Sequence, residues 1–136
     1  MLKTAQQLVA EAEAHIVALE PAEAHALARD GTAVLVDIRD IRELAREGRV
    51  PGAVHAPRGM LEFWVDPQSP YHRQVFAQPG KTFVFFCAAA WRSALATRDM
   101  QAMGLAPVAH VKGGFQAWRE ASLPVEQPEP REPNAT

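Results

Sequence analysis

Two apolar runs constrain this chain more than any other feature. "TAVLVDIRD" at residues 32–40 opens with a valine-rich run, and "TFVFFC" at 82–87 is almost wholly β-branched or aromatic. Such residues suit a pleated strand. Neither run alternates apolar with polar residues, so both faces of each strand are expected to be buried, as in a parallel sheet covered by helices. Segments of helical spacing follow them. "DIRELAREG" stops at Gly48, and "RSALATRDMQAMG" stops at Gly104 with Ala94, Leu95, Met100 and Met103 available to the core. Strand and helix in alternation predict an α/β fold. Ligands in such folds bind beyond the C-terminal ends of the strands.

The remaining segments fit the same scheme. Residues 3–18 are expected to form an N-terminal helix, with Leu8, Val9, Ala12, Ile16 and Leu19 roughly on one stripe. Pro21 opens a second helix, where its missing N–H costs nothing. A turn at Pro51-Gly52 precedes a short strand at 53–55, and residues 58–64 and 71–77 read as short helical pieces. Phe63 and Trp64 read as core packing. Residues 107–114 form the last strand and 115–122 the last helix. From Glu126 onward the chain is rich in Pro and Glu and is expected to be a disordered tail. This divides the chain into an N-terminal extension (1–16), one domain (17–125) and a tail (126–136).

Composition removes several functions. A net charge of −2 argues against a nucleic-acid binder, which needs a basic patch or stripe. No apolar run reaches the length of a membrane span, and the N-terminus lacks the apolar core of a secretory signal. One cysteine forms no internal disulfide and builds no cysteine-rich zinc site, and it suits a reducing, cytoplasmic setting. The five histidines show no metal spacing.

That cysteine, Cys87, ends the second apolar run, with Ala88, Ala89, Ala90 and Trp91 separating it from Arg92. A free cysteine is commonly core filler. Here, however, it stands at the ligand-binding end of a strand and just ahead of a helix. If the loop curls, the N–H groups of Ala88, Ala89, Ala90, Trp91 and Arg92 converge into an anion-binding nest, reinforced by the helix dipole. A nest of this kind favours a thiolate over a thiol. Arg92 is expected to fix the loop through a carboxylate such as Glu43 or Asp37. Trp91 can wall the pocket, stack on a substrate or pack against the domain.

The order and spacing of "LVDIRD", "GRVPGAVHAP", "CAAAWRSALA" and "VKGGFQAW" resemble a rhodanese domain over residues 17–125. The resemblance implies a three-layer α/β fold with a central, mostly parallel five-stranded sheet flanked by helices. It implies a sulfurtransferase in which Cys87 takes a sulfane sulfur from thiosulfate or a persulfide and passes it to cyanide or a thiol. No metal or organic cofactor is implied. Asp37 and Arg39 then lie near the pocket, either bracing loops or touching substrate, and Arg58 falls at the pocket rim. Gly113-Gly114 opens the final helix, with Trp118 packed beneath it. Rhodanese loops that handle thiosulfate frequently carry glycine and basic residues, and this loop has neither apart from Arg92. A persulfide on another protein or on a small thiol therefore stands beside thiosulfate as donor. Two rivals remain: a cysteine phosphatase or arsenate reductase, whose loop has five residues between Cys and Arg, and a non-catalytic binding module.

Overall fold

The computed structural model describes residues 1–127. Five strands form one sheet in the order β1-β5-β4-β2-β3: β1 Val17–Leu19, β2 Ala33–Asp37, β3 Val54–His55, β4 Thr82–Phe86 and β5 Val108–Val111. Every pairing between them is parallel. The helices are α1 Ala5–Glu13, α2 Pro21–Arg29, α3 Ile41–Glu47, α4 Leu61–Val65, α5 Trp91–Met103 and α6 Gly114–Glu120. The expected three-layer α/β architecture is present.

Alternation along the strands builds two cores. Val36, Phe83, Phe85, Cys87 and Val108 point to one face, against Leu61, Val65, Ala96 and Met100 of α4 and α5. Leu35, Val84, Phe86, Ala109 and Val111 point to the other, against Ala24 of α2 and Phe115 and Trp118 of α6. Both faces of β2 and β4 are thus dry, which explains their unbroken apolar sequences. Outside this sandwich, α1 packs on α5 through Val9, Ala12 and Ala94, its first turn closed by a capping box between Thr4 and Gln7.

Several expectations need correction. The single helix over 3–18 is in fact α1 followed by the edge strand β1, paired with Ala109–Val111. Three residues are too few for a period to register, and an edge strand is held by backbone pairing that no local pattern reveals. Of the expected core residues on α5, Ala94 and Met100 are buried while Met103 lies exposed in the last turn. Phe63 is exposed, whereas Trp64 packs on the core with the Arg73 guanidinium 3.9 Å from its ring centroid. The segment 71–77 yields only a 3-10 turn, Gln74–Phe76.

The expected tail begins too early. Glu126 exchanges two backbone hydrogen bonds of 2.9 Å with Arg49 and pairs with its side chain at 3.0 Å. Ionic complementarity and a backbone ladder fasten this residue to the domain despite the polar composition around it. The rest of the expected tail, 128–136, lies outside the described residues.

Candidate active site

Cys87 follows the last residue of β4, the central strand, and its side chain is buried in the first core. Burial alone fits core filler. The loop around it does not. Ala88 is half-buried, Ala89 exposed, and Ala90 adopts a left-handed conformation at φ 81° before α5 begins at Trp91. A non-glycine residue there costs about 1–2 kcal/mol and persists only where its surroundings enforce it. Here the Ala90 carbonyl accepts the Ala94 N–H at 3.1 Å and the Ser93 hydroxyl at 3.3 Å.

Helix α6 shapes the other side of the loop. Phe115 and Gln116 donate their N–H groups to the carbonyls of Cys87 and Ala88, at 2.8 and 3.0 Å. In a planar trans peptide the N–H points opposite to the carbonyl. Drawing those two carbonyls toward α6 therefore turns the N–H groups of Ala88 and Ala89 away from it. Among the described residues, the N–H groups of Ala88, Ala89, Ala90, Trp91 and Arg92 meet no acceptor. They are left free to donate to an anion.

The sulfur itself has a different partner from those expected. Ser93 donates its backbone N–H to Cys87 Sγ at 3.3 Å. Ser93 lies one residue beyond the expected donors, 88–92. The left-handed step at Ala90 starts α5 so that its first turn, rather than the loop, reaches the thiol.

Arg92 forms the expected clamp with Glu43, a bidentate pair of 2.8 and 2.9 Å that ties the first turn of α5 to α3. Glu43 also accepts the Asp40 N–H at 2.9 Å. Arg92 holds the Glu43 carboxyl down from 4.5 to about 2, and Glu43 in turn raises the already high pKa of the guanidinium, with Cys87 adding in the same direction. A carboxyl lowered by folding stabilises the fold above its unfolded value and loses that contribution as pH falls through the folded one. The clamp is thus expected to fail between pH 4.5 and about 2. Acid titration of stability should show a loss there in the natural chain that is reduced in Glu43→Gln. Equal slopes for the two proteins in that window would refute the assignment.

Asp37, the alternative partner of Arg92, is committed elsewhere. It receives Nε of Arg39 at 3.1 Å and Nη2 at 2.8 Å, both residues being fully buried. Arg39 also donates to the Gly48 carbonyl at 2.9 Å and lies 4.0 Å from the centroid of Phe115. This pair stands behind α6, whose Phe115 N–H holds Cys87, so it braces the loop from the rear. Arg58 binds Asp99 of α5 at 2.7 Å and Glu62 at 2.8 Å. It joins α4 to the flank of α5, and no hydrogen bond links it to Cys87 or the loop. Trp91 projects outward at the first position of α5, 53% exposed, and so does not pack against the domain.

Gly113-Gly114 has more than its expected role. A Cβ on Gly114, whose φ is +64°, would fall 2.5 Å from the Cys87 carbonyl and 2.7 Å from that of Ala88. Only glycine lets α6 approach closely enough to hold the loop.

The rhodanese-like domain family matches residues 20–121. The chain belongs to that family. It is 49% identical to a protein of unknown function from Rhodopseudomonas palustris, described as a possible tyrosine phosphatase, over 93% of this chain and 96% of that one, with a TM-score of 0.87. The polysulfide-sulfur transferase homodimer of Wolinella succinogenes is 29% identical over 95% of this chain and 89% of that one, with a TM-score of 0.69. An uncharacterized protein of Synechocystis is 29% identical over 108 residues, 79% of this chain. The chain spans about half of that relative, 55% of its length.

Proposed function

We propose that this protein is a sulfurtransferase that carries a sulfane sulfur on Cys87. One observation carries the reading: the thiol follows the central strand and is followed by five backbone N–H groups that have no acceptor among the described residues. The likeness to a polysulfide-sulfur transferase supports it. So does the four-residue gap to Arg92, which makes a tight loop suited to a single sulfur atom rather than a phosphoryl group.

The Cys87 thiolate attacks the outer sulfur of the donor and forms a new S–S bond. The donor's S–S bond breaks, and its electron pair leaves on sulfite or on a thiolate. An acceptor thiolate or cyanide then attacks the outer sulfur of the Cys87 persulfide, and the electron pair of the broken bond returns to Cys87. Two displacements balance without oxidant or reductant, and covalent catalysis divides one hard step into two easier ones. The loop N–H groups stabilise the persulfide anion and the departing charge.

The charge balance favours a persulfide as donor. Arg92 is the only cationic side chain of the loop, and Glu43 neutralises it on both terminal nitrogens. Neutral N–H donors remain, which suits a singly charged persulfide better than the thiosulfate dianion. Incubation with a small-thiol persulfide and with thiosulfate, followed by intact-mass measurement, tests the reading. A gain of one sulfur atom is expected, faster from the persulfide, and absent in Cys87→Ser. Uptake from neither donor, with hydrolysis of a phosphate ester, establishes a phosphatase instead. Neither activity leaves a binding module.

A further inference from the structure

A buried hydrogen-bond chain leaves the sulfur on the side away from α6. Ser93, whose N–H reaches Cys87 Sγ, places its hydroxyl 3.0 Å from Nδ1 of His110 and 3.3 Å from the Ala90 carbonyl. Ser93 has no exposed surface and His110 is 2% exposed. His110 lies on β5, beside Phe85 of β4 and Ala18 of β1. One edge of its ring meets Ser93. The residue also lines an open cavity of about 310 Å³ bounded by Glu13, Glu20, Glu23, Ala90 and Lys112.

We propose that His110 is a positioning residue for the Cys87 sulfur, acting through Ser93. The proposal rests on the sulfurtransferase reading for its purpose but on the hydrogen-bond geometry for its content.

A serine hydroxyl has a single proton. When Nδ1 of His110 accepts it, the Ala90 carbonyl loses that bond. When Nδ1 carries a proton and donates, the serine proton is free to hold Ala90. The state of the imidazole therefore decides whether the strained end of the loop is tied to α5. The same residue, Ser93, sets the N–H that meets the sulfur. A change in the ring is thus transmitted to both ends of the loop at once.

The groups facing His110 are Ser93 from α5, Glu13 at the end of α1, Glu20 before α2, Glu23 within α2, and Lys112 after β5. Lys112 lies 3.4 Å from Glu20, which offsets one of the three carboxylates. Burial lowers the pKa of His110 below 6.5, and Glu13 opposes this in part. The imidazole is therefore neutral at pH 7.5.

Alkylation of Cys87 by iodoacetamide tests the proposal, because the chain has no other cysteine. His110→Ala is expected to change the alkylation rate and the persulfidation rate by about tenfold at pH 7.5, the scale of one lost buried hydrogen bond. His110→Asn, which keeps a hydrogen-bonding group near the Nδ1 position, should restore the rate to within about twofold. In a Ser93→Ala background, His110→Ala should add nothing further, since the link is already cut.

A natural alkylation rate in His110→Ala overturns the proposal. So do additive effects of the Ser93 and His110 substitutions. If the natural chain takes up sulfur from no donor, the sulfurtransferase reading fails, and the alkylation series still decides the role of His110.

Discussion

Asp37→Ala is expected to lower the free energy of unfolding by about 3–5 kcal/mol, as breaking one side of a buried ion pair does. Arg39 is fully buried, so its charge has no route to water when the partner goes. The nearest remaining carboxylate is Glu47, 3.7 Å from Nη1, and the Gly48 carbonyl is a single acceptor. Neither replaces the paired contacts of 3.1 and 2.8 Å that Asp37 accepts. Urea denaturation with an unchanged slope is the measurement. Asp37→Asn should fall between the two proteins, because the amide keeps one acceptor but not the charge. A loss under about 1 kcal/mol would mean that the pair is worth no more than a surface salt bridge. The loop should suffer along with the fold, since Arg39 lies against Phe115, whose N–H holds Cys87.

Gly114→Ala should damage the loop more directly. The added Cβ meets two backbone carbonyls, which are not free to swing aside as a flexible side chain would be. The left-handed conformation contributes about 1–2 kcal/mol of strain and the overpacking about 1–3 kcal/mol. To relieve the contact, α6 and the Cys87 loop must separate, which breaks the N–H bonds from Phe115 and Gln116. A displacement of about 1 Å at a reacting centre can cost about 100-fold in rate. Persulfidation of Cys87, measured at a temperature where the variant is folded, should fall on that scale. Gly59→Ala serves as the control, because a Cβ there meets nothing within 4 Å. Its stability and rate should match the natural chain. An unimpaired Gly114→Ala would show that α6 does not hold the loop.

Local rules account for the features legible along the chain. Unbroken apolar runs at β2 and β4 announced a sheet covered on both faces, because strands buried on both sides need no polar alternation. The position of Cys87 at a strand end, and the helix beginning just beyond it, came from the same local pattern. The Arg92–Glu43 clamp was visible as one of two choices. Charge chemistry limits the partners of an arginine but does not locate them.

Contacts between distant residues account for the rest. Strand β1 became a strand only through pairing with β5, a contact far along the chain. Asp37 was drawn to Arg39, where both could be buried together, leaving Glu43 for Arg92. The close approach of Gly114 to Cys87, the Ser93 N–H on the sulfur and the His110 ring behind it depend on how α5, α6 and β5 are stacked. Hydrogen bonds act over about 3 Å, whereas sequence patterns report only which face of an element is apolar. The place of Cys87 at a strand end could therefore be read along the chain, but the groups that hold it could be found only across the fold.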